Sequence, residues 1–523
     1  MLMRNTSDTL NWSPLWLIIP VAILVRVITW LQCPVVNPDS ILYLVQAQNL
    51  TLGRFEQTIR CCYHYLPNYS IFVSLIHFFG GNWIVSGRMT SFIMGTAMVV
   101  PIYLLLRLFF SQRTSSIVAA CYAVIPIFVT RSVDILRDPT CWFFISYGLY
   151  CYIYACRKNI KILPVSSFLF LMATWARPES IFFLLFCGLF IVIACNNNKA
   201  YGILYFWALP FFLLISTIFL STLFSEIWPS HLTLISLKLH FHSVIYGIDN
   251  LTSEINRIAS TENNFGVASF LREARSARLA VALWIILNRY FEAFTYPLFL
   301  LVISGIWVSL KQNKYRIWHI FSAILALGTT AIMFEQTKRT WVLEYRYTGI
   351  FILSCPLFMA SGIELAMNKI STITRWRKTA YVTFIVLILA SPLYKIFHHN
   401  NELDSNYISI GNTIAENADK FPVYTLSSAH SIRLVTLYSN LKSSEPTCQV
   451  DRRSYDAFIP SPINKLLTRL NKEKIEFILW EQNYWPKADR SFFKLLIKSR
   501  HIKKIANWHD NKAGEVVLFK LIQ

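Results

Sequence analysis

The chain has 523 residues, of which 55% are hydrophobic and only 15% are charged, and its formal net charge is +21. A soluble globular protein carries about 25% charged residues, so this composition excludes that class and indicates a polytopic membrane protein. A basic balance can also reflect nucleic-acid binding. Basic cytoplasmic loops and a basic tail domain explain it more simply in a membrane protein, so no nucleic-acid partner is expected.

The first feature along the chain is a series of apolar runs long enough, or nearly long enough, to cross about 30 Å of hydrocarbon. They lie at residues 15–31, 83–106, 114–130, 140–156, 162–176, 179–195, 201–224, 296–310, 318–334, 347–366 and 379–396. A shorter run at 67–79 is interpreted as half-inserted. The first run has no small-residue cleavage site, which favours an uncleaved span over a signal peptide.

The loop charges orient these spans. One set of short loops is basic and contains no Asp or Glu; it holds Arg107, Arg113, Arg157, Lys158, Lys161, Lys199, Lys311, Lys314, Arg316, Lys369, Arg375, Arg377 and Lys378. The opposite loops hold Asp39, Glu56, Asp134, Asp138, Glu226, Glu335 and Glu344. The positive-inside rule makes the basic set cytoplasmic. The acidic groups, a long loop at 225–295 and the tail are therefore expected outside.

The chain changes character near residue 397. Short apolar runs alternate there with helix-like stretches, namely 423–426, 475–480 and 516–521 against 431–440, 463–471 and 491–499. This alternation predicts a small α/β domain at 397–523 that follows a transmembrane domain at 1–396. The tail shows no convincing catalytic set of its own, and we expect it to be stable separately from the membrane part.

The stretch at residues 38–53, PDSILYLVQAQNLTLG, follows the first span directly. Asp39 stands at a membrane boundary, where ionisable groups are costly and are often kept for function. Apolar residues follow at rough helical spacing, with Gln46 and Asn49 pointing elsewhere. This pattern predicts an amphipathic helix along the membrane surface that ends at Gly53. The competing interpretation is that Asp39 only caps this helix.

Four groups of polar residues fall on the predicted outer side. They are Asp39 with Tyr63, His64 and Tyr65; Asp134, Arg137 and Asp138 in SVDILRDP; Arg177 and Glu179 in WARPES; and Lys338, Arg339, Glu344, Tyr345 and Arg346 before the tenth span. Each has an ordinary alternative: Arg177 extends to the interface, Arg137 pairs with a nearby aspartate, and His64 is merely interfacial. Together they place carboxylates and arginines where a lipid phosphate would lie.

Cysteines and histidines give weaker signals. Seven of the 11 cysteines lie in apolar runs and are interpreted as packing residues. Cys33, Cys61 and Cys62 share the first outer loop, and a disulfide among them is left open. His240 and His242 are too few ligands to predict a metal site.

Five segments occur in the order PDSILYLVQAQNLTLG, HYLPNYSIF, GRMTSFIMGTAMVVPIYLLLR, SVDILRDP and ARPE. In their order and spacing, residues 15–395 resemble the membrane glycosyltransferases of the GT-C fold, in the branch of protein O-mannosyltransferases and lipid A aminoarabinose transferases. The resemblance implies an α-helical polytopic fold of about eleven transmembrane helices plus juxtamembrane helices, with a small α/β domain outside the cytoplasm. It also implies a bacterial inner-membrane enzyme that takes a sugar from a polyprenyl-phosphate donor to a hydroxyl of a glycan, lipid or protein acceptor.

The resemblance carries residue roles with it. Asp39 is the candidate base, and Asp134 and Asp138 are further catalytic candidates. The candidates for substrate binding, mainly through the donor phosphate, are Arg346, Arg177, Arg137, Lys338, His64 and Tyr345. Many relatives have Asp-Glu where this chain has Asp39 and Ser40, so a divalent metal ion is left open without assigned ligands. Arg346 is favoured for the phosphate because Glu344, two residues earlier, would not face it well on a helix.

A transporter or flippase for a lipid-linked sugar is the main alternative function. Transporters often show inverted repeats and helices broken near the midplane, and neither is evident in the sequence. A scaffold protein of the cell envelope would leave the outer carboxylates unexplained. We therefore expect bond chemistry, and the family resemblance implies inversion at the anomeric carbon.

Overall fold

A computed structural model describes residues 14–61, 65–195, 199–223, 257–260, 264–311, 315–373, 377–398, 406–448, 450–455, 469–485 and 502–522. Tyr63, His64, His240 and His242 lie outside these residues, so the hypotheses that concern them stay predictions.

Helices make up most of the described chain. Their bounds are Leu15–Gln32, Ser40–Thr51, Phe55–Cys61, Asn68–Phe78, Trp83–Ala97, Val99–Arg107, Gln112–Val124, Pro126–Ser132, Asp138–Arg157, Leu163–Ala176, Ile181–Ala194, Lys199–Leu223, Phe265–Ser276, Arg278–Phe294, Tyr296–Lys311, Arg316–Thr340, Thr348–Leu353, Pro356–Ile373, Arg377–Phe397, Asn406–Asn417 and Ile432–Ser439. Short 3-10 turns lie at Ile160–Ile162, Pro178–Ser180, Tyr345–Tyr347 and Val450–Arg453. Within the described residues, each predicted apolar run consists mostly of helical backbone.

Not every predicted span is a single straight helix. In the part of the chain that the structure describes, five helices are long and apolar enough to cross a membrane, or eight if each of three bent pairs counts as one span. The sharpest bend, 108°, separates Arg278–Phe294 from Tyr296–Lys311. Two further apolar helices, Ile160–Ala176 and Pro178–Ala194, are shorter. The α-helical membrane fold is confirmed, and the number of about eleven spans stays a prediction.

The chain forms two compact units. The first comprises Met1–Thr29, Ser91–Val133 and Arg137–His399, and the second comprises Trp30–Thr90, Asp134–Leu136 and Asn400–Gln523. The tail thus clusters with Trp30–Thr90, the segment that contains the loop predicted to be the first outer loop. The division at residues 396 and 397 into two domains stays a prediction.

In the first unit, two helices approach each other at the backbone. A Cβ atom on Gly305 would lie 1.7 Å from the carbonyl oxygen of Phe358, and one on Gly362 would lie 2.0 Å from the carbonyl oxygen of Leu301. Small residues permit this kind of close helix contact inside a membrane, where packing rather than water drives association. The contact joins Tyr296–Lys311 to Pro356–Ile373.

The second unit contains a four-stranded sheet in the order β1-β2-β4-β3. The strands are Thr425–Leu426 (β1), Phe477–Glu481 (β2), Ile502–Asp510 (β3) and Gly514–Leu521 (β4). β1 is parallel to β2, whereas β4 is antiparallel to both of its neighbours, with Leu479 opposite Leu518. Three strands and one tail helix match the predicted runs, while β3 was not predicted. The stretches 463–471 and 491–499 lie largely outside the described residues.

The tail does not bury its apolar surface alone. Ile432, Leu434 and Leu518 share one core cluster with Ile41 and Leu44 of helix Ser40–Thr51. The tail and the first outer loop therefore complete a single core within the second unit, because the apolar faces of both contribute to it.

The prediction of an amphipathic surface helix at residues 40–51 is wrong. The helix is buried on nearly all sides, and Gln46 and Asn49 are only 2% and 0% exposed. The Gln46 amide donates to the carbonyl of Tyr65 at 2.7 Å and accepts from the hydroxyl of Ser70 at 3.1 Å. Internal hydrogen bonds thus replace the water expected on the polar face. The predicted end at Gly53 is confirmed by its left-handed φ of 70°.

Candidate active site

Asp39 immediately precedes helix Ser40–Thr51 in the second unit. Its backbone is helical, with φ −67° and ψ −15°, and its side chain makes no capping hydrogen bond. The carboxylate is 24% exposed, and its Oδ1 atom lies 2.5 Å from Nη1 of Arg433 in the tail. The simple capping interpretation therefore does not describe this side chain, which pairs with a guanidinium across 394 positions of sequence.

Asp134 supports the turn that carries Asp39. Its Oδ1 atom accepts hydrogen bonds from the backbone N–H of Asn37 at 2.8 Å and of Ile135 at 2.9 Å. The Asn37 side chain in turn accepts from the Asp39 N–H at 2.9 Å. Asn37 thus connects Asp39 to Asp134, two of the three predicted catalytic carboxylates. The Oδ1 atom of Asp134 binds backbone N–H groups.

Two further contacts join the tail to the first outer loop. The hydroxyl of Tyr438 accepts from the N–H of Val36 at 3.1 Å. Arg54 and Glu445 form a bidentate ion pair, in which Nη1 lies 2.6 Å from Oε2 and Nη2 lies 2.9 Å from Oε1. Arg54 and Glu445 lie at the surface, with side chains 35% and 51% exposed, and solvent screens exposed pairs of this kind so that they add little to stability.

Asp138, in the first unit, is the first residue of helix Asp138–Arg157 and is paired with Arg177. The side chains are 1% and 5% exposed, and Nη1 of Arg177 donates to Oδ1 of Asp138. Arg177 also lies 3.6 Å from Glu179, and its guanidinium stands 4.4 Å from the ring centre of Tyr347. The alternative interpretation, in which Arg177 extends to the interface, does not describe this guanidinium, because its side chain is only 5% exposed.

Arg346 forms the ion pair that the sequence argued against. Its Nε atom lies 2.5 Å from Oε2 of Glu344. The argument assumed a helix, but Glu344 has extended backbone with ψ 136° and the following turn is the 3-10 segment Tyr345–Tyr347. An extended residue before a turn directs its side chain differently from an i,i+2 position on a helix, so the geometric reason for favouring Arg346 was wrong.

The remaining predicted cations are also engaged. Lys338 lies 2.5 Å and Arg339 2.6 Å from the carboxylate of Glu335, near the end of helix Arg316–Thr340. Arg137 directly precedes helix Asp138–Arg157 and is half-buried. Lys338 and Arg339 thus share one carboxylate.

A denser group of cations surrounds Tyr345. The Tyr345 hydroxyl donates to the carbonyl oxygen of Glu292 at 3.2 Å, and Lys395 donates to the same oxygen at 2.6 Å. Arg289 lies 2.6 Å from the Glu292 carboxylate. Arg131 and Arg289 are both within electrostatic range of the Tyr345 hydroxyl. We call Arg131, Arg289, Lys395 and Tyr345 the Tyr345 cluster; it brings three cations to one phenol, and the Glu292 carboxylate pairs with Arg289.

No pattern in the sequence indicated Arg433, Arg289, Arg131 and Lys395. Arg289 and Lys395 lie within or at the end of helical segments where a single basic residue carries no motif. Arg433 follows SSAHSI in a tail that lacked a catalytic pattern. Only the folded chain brings these residues to their partners.

The described residues do not fit a resident metal ion. No group of three or more His, Cys, Asp or Glu side chains is placed to hold one within the described ranges. Asp39 contacts a guanidinium, and Asp138 does the same. A carboxylate that shares its oxygen with an arginine is a poor cation ligand, so these two carboxylates do not form a metal site in this arrangement.

Solved structures resemble this architecture over nearly the whole chain. The apo oligosaccharyltransferase of Archaeoglobus fulgidus aligns with a TM-score of 0.59 at 12% identity, covering 91% of this chain and 70% of that one. The same enzyme in complex with Zn and sulfate gives 0.58 at 13% identity, with 96% and 72% covered. ArnT from Cupriavidus metallidurans bound to undecaprenyl phosphate gives 0.55 at 11% identity, with 97% and 98% covered. The chain has the GT-C fold.

A family match agrees with this fold. Residues 67–220 match the family described as dolichyl-phosphate-mannose-protein mannosyltransferase. No curated protein sequence is similar enough to the chain to count as a match. The resemblance to GT-C membrane glycosyltransferases is therefore confirmed, and the family match and the fold together support a glycosyl-transfer function.

Proposed function

We propose that this GT-C protein transfers a sugar from a polyprenyl-phosphate donor to an acceptor hydroxyl on the outer face of the membrane. The observation that carries the proposal is the carboxylate of Asp39. It is partly exposed, it does not cap its helix, and Arg433 fixes one of its oxygens. In a fold that supports glycosyl transfer, such a group is suited to accept a proton from an acceptor.

The chemistry follows from this assignment. The acceptor O–H gives its proton to the Asp39 carboxylate while its oxygen forms a bond to the anomeric carbon. The bond from that carbon to the phosphate oxygen breaks, and its electron pair leaves with the polyprenyl phosphate, which gains one negative charge. Attack in line with the leaving group inverts the anomeric centre. The neutral carboxyl group then returns its proton to water.

The leaving phosphate needs cations to balance its developing charge. The Tyr345 cluster offers three of them, and Arg346 follows Tyr345 directly in the chain. Guanidinium groups bind phosphate with two parallel hydrogen bonds. The ArnT structure was solved with undecaprenyl phosphate bound, and this supports the same class of lipid donor here.

Two observations support an outer location for the tail and the chemistry. Basic residues fill one set of loops and acidic residues the other, as the positive-inside rule requires. Cys448 in the tail is disulfide-bonded, and structural disulfides persist mainly in oxidising compartments. Of the three loop cysteines for which a disulfide was left open, Cys33 is not disulfide-bonded. We propose the inner membrane of a bacterial cell envelope as the site of the enzyme.

The decisive experiment supplies donors to the purified full-length protein. Undecaprenyl phosphate carrying a radiolabelled hexose or pentose is incubated with the protein and a membrane extract that contains glycan, lipid and protein acceptors. Label should move to an acceptor from at least one lipid-linked sugar and from no nucleotide sugar. Transfer from a nucleotide sugar would overturn the donor class. Movement of the lipid-linked sugar across vesicles without a new glycosidic bond would favour a flippase.

A further inference from the structure

Arg433 belongs to the tail but contacts a residue of the first outer loop. We propose that Arg433 is a positioning residue for Asp39, and that the buried carboxylate of Glu481 fixes the start of the helix that carries it. The inference rests on the proposed function, since it assigns a role around the proposed base. It also gives the tail a part in catalysis that its sequence did not indicate.

Glu481 lies at the end of β2 and is completely buried. Its Oε2 atom accepts from the backbone N–H of Ser428 at 3.0 Å and from the hydroxyl of Ser431 at 2.8 Å. The carbonyl oxygen of Ser428 in turn accepts the N–H of Ile432 at 2.9 Å, which closes the first turn of helix Ile432–Ser439. A buried carboxylate is costly unless it is hydrogen-bonded, and the N-terminal end of a helix favours a negative charge.

The same helix is fixed on its other side by packing. Ile432, Leu434 and Val435 are all fully buried in the core of the second unit. Near the end of the helix, Tyr438 is tied to the segment that leads to Asp39 through its bond with Val36. Arg433 therefore extends from a rigid element whose start and end are both anchored, and rigid support of this kind holds a functional side chain in one geometry.

The contact defines what Arg433 does. Its Nη1 atom holds Oδ1 of Asp39, which fixes the direction of the carboxylate plane. Orientation of a proton acceptor within a fraction of an ångström governs the rate of a positioned reaction. Arg433 touches neither the donor nor the acceptor in this role, so its loss should lower kcat and leave the KM for the donor largely unchanged.

Arg54 provides a matched control. It also joins the loop to the tail through a carboxylate, Glu445, but it does not contact Asp39. Substitution of Arg54 therefore breaks a loop-to-tail ion pair without changing the hydrogen bond to the proposed base. A purely structural role for Arg433 would give both variants the same kind of defect.

The first measurement uses the full-length protein in lipid nanodiscs with the lipid-linked sugar on which the wild type is active. Arg433→Met should lower kcat by about 10- to 100-fold, Arg433→Lys should recover part of it, and Arg54→Met should stay within about threefold of wild type. Glu481→Ala should lower kcat in the same direction, whereas Glu481→Gln keeps an acceptor oxygen and should retain activity. Wild-type kcat in Arg433→Met would overturn the inference, as would equal losses of kcat and thermal stability in Arg433→Met and Arg54→Met.

The second measurement needs no turnover. Carbodiimide modification of Asp39, followed by mass spectrometry, should be faster in Arg433→Met than in wild type and unchanged in Arg54→Met. Equal rates in all three proteins would overturn the inference. A protein that transfers none of the lipid-linked sugars but shows the expected labelling would refute the proposed function and keep the positioning contact.

Discussion

Arg177 and Asp138 are joined by an ion pair in which neither side chain is more than 5% exposed. The pair links the start of helix Asp138–Arg157 to the turn after helix Leu163–Ala176. Arg177 additionally stacks on Tyr347. Both residues were predicted to act on substrate. They are instead buried and paired with each other, which is a structural contact between two segments of the first unit.

Removal of one partner of this pair should destabilise the protein. Arg177→Met leaves the Asp138 carboxylate buried without its main partner, which typically costs about 3–5 kcal/mol. The double variant Asp138→Asn with Arg177→Met should recover most of the loss, because the uncompensated charge of Asp138 is also removed. Thermal denaturation of the full-length protein in detergent measures both effects. If Arg177→Met keeps its melting temperature but loses donor binding, the guanidinium serves the substrate instead.

Asp39→Asn should abolish transfer while the protein still folds. The substitution removes the proton acceptor, which typically contributes about 10²–10⁴-fold to the rate. Folding should survive because Asp39 makes no capping bond and its side chain is partly exposed. Label transfer and thermal denaturation are measured on the same preparation. An Asn variant that retains activity within a few-fold would show that another group is the base.

Lys395 should contribute to the binding of the lipid phosphate. Lys395→Gln removes one cation from the Tyr345 cluster, and a hydrogen bond to a charged group is worth about 1.5–3 kcal/mol. Affinity for undecaprenyl phosphate, measured by native mass spectrometry, should fall by at least about tenfold, and Lys395→Arg should bind nearly as wild type. Lys311→Gln is the matched control, since Lys311 ends another helix and contacts Trp307. Equal affinities in Lys395→Gln and Lys311→Gln would exclude this cluster.

Glu481 should make stability depend on pH. Burial, the largest cause, raises its pKa, and the nearby Asp510 carboxylate adds to this, while hydrogen bonds from Ser428 and Ser431 act in the opposite direction. The folded state then holds the proton more tightly than the unfolded state. The free energy of unfolding therefore falls as pH rises from the ordinary glutamate value of about 4.3 through the raised pKa.

Glu481→Gln tests this linkage because it mimics the protonated side chain. Its melting temperature should equal that of wild type at about pH 4, below the ordinary glutamate value. At neutral pH it should be higher, because the wild type has lost the contribution of the proton. Thermal denaturation of the full-length protein across this pH range measures the difference. If the melting temperatures of the wild type and of Glu481→Gln change in parallel with pH, Glu481 does not titrate in this range.

The tail expressed alone should not form a stable domain, contrary to the expectation from its sequence. Its core is shared with Ile41 and Leu44 of the first outer loop. Without those residues Leu437, which lines the same small cavity as Ile41 and Leu44, would be exposed to water, at a cost of about 25 cal/mol per Å² of apolar surface. Residues 400–523 should therefore bind a hydrophobic dye and show a broad thermal transition. A sharp transition without dye binding would show that the tail is self-sufficient.

Local patterns predicted what depends on neighbours in sequence. The apolar runs predicted the positions of the helices, because the length and hydropathy of a run indicate a membrane-spanning helix. Gly53 gave the end of its helix because few other residues adopt a positive φ at low cost. The short apolar runs of the tail likewise matched β1, β2 and β4.

Local sequence patterns did not predict contacts that depend on the tertiary structure. The polar residues Gln46 and Asn49 predicted a helix face exposed to water. Inside the fold, however, the Gln46 amide forms hydrogen bonds with Tyr65 and Ser70. Glu344 and Arg346 were judged by helix geometry at a point where the backbone is extended. Nothing near Asp39 in the sequence indicates Arg433, since the pair forms only when the tail has folded.

Arg26 lies in the middle of helix Leu15–Gln32, fully buried, and donates to the carbonyl oxygens of Gly95 and Ala123 in the first unit. Ala123 is 97 positions later in the chain, so at about 5–20 residues per second the ribosome needs roughly 5–20 s to deliver it. During that interval the newly inserted first helix carries an arginine without these acceptors. The insertion cost of an arginine at the centre of a membrane helix is about 2.5–3.5 kcal/mol on translocon-based scales. The first helix should therefore linger beside the insertion machinery until the later helices arrive.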